Sequence, residues 1–144
     1  MGSLWCKSRL NLLDLRIEAG PSYDLYMTYV AARTGRGAWY IPERLSSYRV
    51  HSSMETQTGR ERIHRANIFC NRQFLMDPML APWRQVFVAR LSDAYAGLAV
   101  INLRQGKRLS AVVHFAQSIC IRPTRRAFAG IVYSLIPRGA DRVY

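Results

Sequence analysis

The chain has 144 residues, 49% of them hydrophobic, and carries a formal net charge of +12. This length and composition allow one modest globular domain with an ordinary core. Three scattered cysteines without a Cys-x-x-Cys spacing exclude a disulfide framework or a zinc cluster, and no apolar run approaches the roughly 20 residues that span a bilayer.

Arginine supplies almost all of the positive charge. Only two of the 21 basic residues, Lys7 and Lys107, are lysines. A planar guanidinium binds two oxygens at once, so the excess favours an anionic partner such as a nucleotide sugar, an acidic membrane surface or nucleic acid. A GC-rich coding sequence that writes surface cations as arginine explains the same bias. The cysteines fit a cytoplasmic protein, and the first residues predict no signal peptide.

The first predicted element is a helix that begins after Ser22 as N-cap and runs to about Arg33. Asp24 falls in its first turn, where the helix dipole favours a carboxylate. Gly35 stands where a left-handed residue ends many helices. A single helix is therefore expected between Gly20-Pro21 and Gly35.

Two short strands are predicted next, at Trp39–Ile41 and Ser47–Val50, with Pro42 ending the first. A helix that leads directly into strands is half of an α/β unit. The sequence therefore predicts an α+β fold, with a partial α/β segment over residues 1–56 and a mostly helical extension over 57–144.

The extension has helical periodicity almost throughout. Prolines at 78, 82 and 123 and Gly106 interrupt it. The pattern predicts four helices, at about 60–76, 83–103, 108–120 and 124–136.

Residues 95–123 have the spacing of one tetratricopeptide-like helical hairpin. The aromatic, small, glycine and proline positions of that repeat are filled by Tyr95, Leu98, Ala99, Gly106, Ala111, Phe115 and Pro123. No second copy is present, so a packed hairpin is expected rather than a repeat array.

Few residues are placed to carry chemistry. The sequence has no P-loop, no dinucleotide-binding glycine motif, no zinc-protease motif, no serine-hydrolase motif and no Asp-x-Asp pair. Asp24 at a helix start, and Arg49 with His51 after a strand, remain as candidates.

These candidates lie in a series of motifs that resembles the carboxy-terminal part of inverting family-two glycosyltransferases of the GT-A fold. The matching pieces are Tyr23-Asp24-Leu25-Tyr26, then Tyr40-Ile41-Pro42-Glu43-Arg44-Leu45, then Tyr48-Arg49-Val50-His51. The match covers about residues 20–56. It implies transfer of a sugar from a nucleotide-sugar donor to an acceptor hydroxyl, on a glycan or a lipid-linked acceptor.

The resemblance also implies roles. Asp24 would be the general base, and Arg49 with His51 would bind the donor diphosphate, with His51 as a tentative ligand of a divalent metal, Mg or Mn. Two departures stand out: Ser22 occupies the position of the base in many members, and the donor-binding half is absent. The chain therefore resembles a fragment, a truncated reading frame, or one piece of a split protein whose partner chain supplies the missing half, and it is expected to be inactive alone.

Simpler interpretations stand beside these roles. Asp24 can serve only the helix start, and Arg49 and His51 can be polar residues at a strand end. Arginines near Trp83, Phe87, Phe128 and Tyr133 can rest on anionic lipid at the inner face of a bacterial membrane. The alternative functions are a small basic RNA- or ribonucleoprotein-binding protein, which lacks any RNA-binding motif, and a helical protein-interaction adaptor built on residues 95–123.

Overall fold

The computed structural model describes residues 16–33 and 59–136, and these residues are mostly helical. Two 3₁₀ segments, Ile17–Ser22 and Pro78–Trp83, each lead directly into an α-helix. The α-helices in these residues are α1 (Tyr23–Ala32), α2 (Arg60–Met76), α3 (Arg84–Arg104), α4 (Arg108–Ile121) and α5 (Arg125–Leu135).

The predicted α+β class is wrong for the described part of the chain, which is 89% helical and contains no strand. The strands proposed at 39–41 and 47–50 fall outside the described residues, as does the boundary at 56/57. The strand prediction depended on segments of only three and four residues, too short for periodicity to separate strand from helix. The long segments with a helical repeat all form helices, and these decide the fold class.

The helices predicted from the repeat are confirmed. The helix at 60–76 has the predicted bounds, and each end of α3, α4 and α5 lies within one residue of its prediction. The predicted cap of α1 is wrong in chemistry, although Ser22 does precede the helix. Its hydroxyl makes no capping bond and instead donates to Oδ1 of Asn67 at 2.8 Å.

The described residues group into two compact units, with the division between Cys70 and Asn71 inside α2. In the first unit, the 3₁₀ segment and α1 pack against the first part of α2. Buried Ala19, Tyr26, Ala66 and Cys70 form its core, and the rings of Tyr26 and Phe69 lie 5.7 Å apart.

The chain enters α1 through a bend at Gly20, whose φ of +42° favours glycine. A Cβ built there would lie 3.8 Å from that of Ala66, which is an ordinary contact. Backbone conformation, rather than space, therefore explains the glycine. Pro21 follows it and fixes the next φ.

The second unit is built on the α3–α4 hairpin that the sequence predicts. A link of three residues joins the helices, and Gly106 in that link has a φ of +76°. The pairing of Ser92 with Ser118, and of Tyr95 with His114, shows that the helices run antiparallel. The five repeat positions that lie within the two helices are all buried: Tyr95, Leu98, Ala99, Ala111 and Phe115.

Helix α5 packs back on α4 through small residues. Ala127 and Ser134 are buried, and a Cβ at Gly130 would lie 2.4 Å from Cζ of Phe115. The Phe115 ring therefore fills the space between the helices, and only glycine lets α5 approach it. Arg108 donates to the carbonyl of Ile136 at 3.1 Å, which ties the end of α5 to the start of α4.

Candidate functional site

Asp24 lies on the surface, in the first turn of α1, as the sequence predicts. Its Oδ1 accepts a hydrogen bond from the backbone N–H of Leu25 at 2.8 Å, and its carbonyl accepts one from the hydroxyl of Thr28. The carboxylate therefore serves a backbone amide at the helix start. Being exposed, it can also accept a proton through Oδ2.

The titratable groups near Asp24 are structural. Burial raises the pKa of the Cys70 thiol to about 11, and the negative charge of Asp24 adds to that rise. Burial, followed by the positive charge of Arg60, lowers the pKa of His64. Nδ1 of His64 is buried and lacks a hydrogen-bond partner within the described ranges. The Cys70 thiol is therefore held protonated and is not a poised nucleophile, and the His64 imidazole is held neutral inside the helical packing.

Arg49 and His51 lie outside the described residues, so the structure does not place them beside Asp24. Among residues 16–33 and 59–136, no three His, Cys, Asp or Glu side chains are grouped as metal ligands would be. The divalent metal that the resemblance implies therefore stays a prediction that concerns His51 alone.

The best-formed cavity in this part of the chain lies where α2 ends and the Pro78–Trp83 segment turns back. Its volume is about 220 Å³, below the roughly 300 Å³ at which small-molecule sites begin. Asp77 and Arg84 are its only charged lining residues, and Asp77 already accepts a bond from the N–H of Met79. The hollow fits a helix–helix junction better than a substrate site.

One helical stretch, Pro78–Arg104, is long and apolar enough to cross a membrane by length and composition. This corrects the expectation that no such run exists. Almost half of the apolar stretch is buried against the rest of the protein. Core helices of soluble proteins pass the same test, so the finding by itself is weak support for a spanning helix.

The larger apolar residues of α5 are not all on the side that faces the protein, although such residues are normally buried. Ile131 packs against the buried cluster that contains Phe115 and Ala127. The small residues are inside, while Phe128, Val132 and Leu135 are 52%, 58% and 65% exposed. The signal was present in the spacing of Ala127, Gly130 and Ser134.

The four aromatic residues predicted near arginines behave differently from one another. Trp83, Phe128 and Tyr133 are exposed. Phe87 is half-buried, and its ring packs 5.2 Å from that of Phe74. Phe87 therefore belongs to the helical packing, and the other three remain on the surface.

No protein-family model, curated protein or solved structure matches this chain.

Proposed function

We propose that this chain carries part of the site of an inverting glycosyltransferase, which moves a sugar from a nucleotide-sugar donor to an acceptor hydroxyl. The observation that carries the proposal is the order of three motifs, at 23–26, 40–45 and 48–51. Any one of them is a weak signal, and their succession within about 30 residues is what resembles the family. The exposed position of Asp24 in the first turn of α1 supports the proposal.

The proposed chemistry needs two groups of opposite charge. Asp24 takes the proton of the acceptor hydroxyl while the acceptor oxygen bonds to the anomeric carbon. The bond from that carbon to the donor diphosphate breaks, and the nucleoside diphosphate leaves with the electron pair. Arg49 stabilises the leaving diphosphate because its guanidinium can bind two phosphate oxygens, and His51 donates a further hydrogen bond.

The chain is expected to have low sugar-transfer activity on its own. The sequence contains no Asp-x-Asp pair to hold a donor-bound metal. We therefore expect the chain to bind a nucleoside diphosphate weakly and to transfer sugar only at background levels. Clear turnover that Asp24→Asn abolishes would support the assigned chemistry and contradict the expected inactivity.

Calorimetric titration of the 144-residue chain with UDP and GDP, with Mn²⁺ present, tests the proposal. Loss of one charge-assisted contact costs about 1.5–3 kcal/mol, so Arg49→Ala should weaken binding about 10- to 100-fold. Arg90→Ala is the matched control, since Arg90 is an exposed arginine on α3. The absence of saturable binding, or an equal effect of both substitutions, would refute the proposal.

The helical unit supports a second role, which is binding through a surface. The specific observation is the outward apolar side of α5, which a self-contained hairpin protein would normally bury. This role is independent of sugar transfer.

A further inference from the structure

Helix α5 presents an apolar surface to solvent although it is firmly held by its other side. Phe128, Val132 and Leu135 are spaced i, i+4 and i+7, so they lie along one side of the helix. More than half of each side chain is exposed. We call these three residues the α5 face. Because the face stands on a packed helix, no folding step is needed to present it.

The α5 face lies in a basic stretch of the sequence. Residues 94–136 contain six basic residues and neither aspartate nor glutamate. Arg125 and Arg126 occupy the first turn of α5, where the helix dipole disfavours positive charge. An anionic partner would neutralise these cations while its apolar part covered the face.

The shape of the surface distinguishes between anionic partners. A partner helix docks in a hydrophobic groove. Within the described residues, Tyr133 of α5 lines a cavity of about 120 Å³. Arg104 and Arg108 also line this cavity. It is therefore too small and too polar for a helix. A single amphipathic helix flanked by arginines is instead the form that binds a lipid interface.

Two other occupants fit the charges less well. A second copy would carry the same net charge of +12 as the first and would be repelled by it. Single-stranded RNA binds through aromatic platforms on which bases stack. Two of the three residues of the α5 face, Val132 and Leu135, are aliphatic and offer no such platform.

We propose that the α5 face is a docking surface for an anionic lipid membrane, in which Phe128, Val132 and Leu135 enter the headgroup region and Arg125, on the same side of the helix, contacts lipid phosphates. The attachment is peripheral. It does not depend on the proposed sugar transfer, and its test needs no enzymatic activity.

Co-sedimentation of the 144-residue chain with lipid vesicles tests the proposal. One set of vesicles contains phosphatidylcholine alone, and the other contains phosphatidylglycerol as about a third of the lipid. We expect binding to the anionic vesicles that weakens with added salt, because salt screens the electrostatic attraction between the arginines and the anionic lipids. We expect little binding to the neutral vesicles.

Substitutions separate the apolar and the charged contributions. Val132→Gln with Leu135→Gln should lower the partition coefficient about tenfold or more, because two side chains lose apolar burial. Arg125→Gln should lower it about fivefold, at about 1 kcal/mol for one cation near the membrane surface. Far-ultraviolet circular dichroism checks that both variants keep their helices, as expected for exposed positions.

Met79→Gln is the matched control. Met79 and Leu135 are both 65% exposed. Helices α3 and α4 are antiparallel, and α5 runs back along α4, so Met79 and Leu135 lie at opposite ends of the second unit. The length of α3 places these two residues about 30 Å apart. Met79→Gln should change the partition coefficient less than twofold.

Three results would overturn the proposal. The first is equal binding by the Val132→Gln/Leu135→Gln variant and the unaltered chain. The second is a dimer in light scattering that this variant dissociates, with no binding to vesicles, which would assign the face to a second copy. The third is salt-sensitive binding of single-stranded RNA that the same variant loses, again with no binding to vesicles.

Discussion

Gly130→Ala tests the contact that holds α5 against α4. The added Cβ would lie 2.4, 2.5 and 2.7 Å from three ring atoms of Phe115. Real Cβ atoms essentially never approach other atoms within 3.0 Å, and Phe115 is only 2% exposed, so the ring has no free space to enter. Either the ring or the whole of α5 must shift.

The expected cost follows from two opposing effects. Overpacking of a well-filled core costs up to about 3 kcal/mol. Alanine is the better helix former by about 1 kcal/mol, which offsets part of that cost. The net loss of unfolding free energy is therefore about 2 kcal/mol, and urea denaturation followed by circular dichroism at 222 nm measures it.

A rescue experiment makes the reasoning specific to the ring. Phe115→Leu removes the atoms that would clash, so the loss caused by Gly130→Ala should be smaller in that background. A double-mutant cycle should give a favourable coupling of about 1 kcal/mol or more. A gain in stability from Gly130→Ala alone, as helix propensity predicts without the clash, would refute the reasoning, and so would zero coupling.

Three further outcomes are expected. Ser118→Ala should lower the unfolding free energy by about 1–2 kcal/mol, because the Ser118 hydroxyl donates to the Ser92 carbonyl inside the hairpin. The control Ser110→Ala, at an exposed position, should change the unfolding free energy by less than about 0.5 kcal/mol. Stability should fall between pH 9 and 11, because the unfolded Cys70 thiol releases its proton before the folded one, and Cys70→Ala should remove that part of the fall in denaturation curves. Stability should also fall as the pH drops below about 6.5, because the lowered pKa of His64 lets the unfolded chain take up a proton first, and a profile that His64→Gln leaves unaltered would contradict this.

The sequence predicted the helices well because each is long enough to show its period. Proline and glycine gave the ends, as at Gly106, where a positive φ makes the turn between α3 and α4. The spacing of Tyr95, Ala111 and Phe115 predicted the hairpin because small and aromatic residues alternate across its contact. These patterns come from residues that are close in sequence, and the folded protein keeps the local structures that they predict.

The failures have a different origin. The α+β class depended on short segments at 39–41 and 47–50, which lie outside the described residues, and three or four residues show too little periodicity to decide a fold class. The orientation of α5 depended on Phe115, whose ring excludes any larger neighbour than Gly130. The periodicity of the large apolar residues does not report that steric demand, which only the spacing of the small residues Ala127, Gly130 and Ser134 indicates. The role of Ser22 was likewise decided by Asn67, 45 residues away in sequence.

The links of three residues between α3, α4 and α5 have a consequence for how the second unit acquires its structure. Its helices pack chiefly against their neighbours in sequence, so most contacts close short loops of chain. Domains with such local contacts fold in microseconds to milliseconds. During synthesis, the hairpin can form as soon as α4 has left the ribosome, and α5 then adds to a surface that is already complete. The Phe115 ring would already be positioned when the small residues of α5 pack against it. The addition of α5 therefore needs only docking of a helix onto the hairpin.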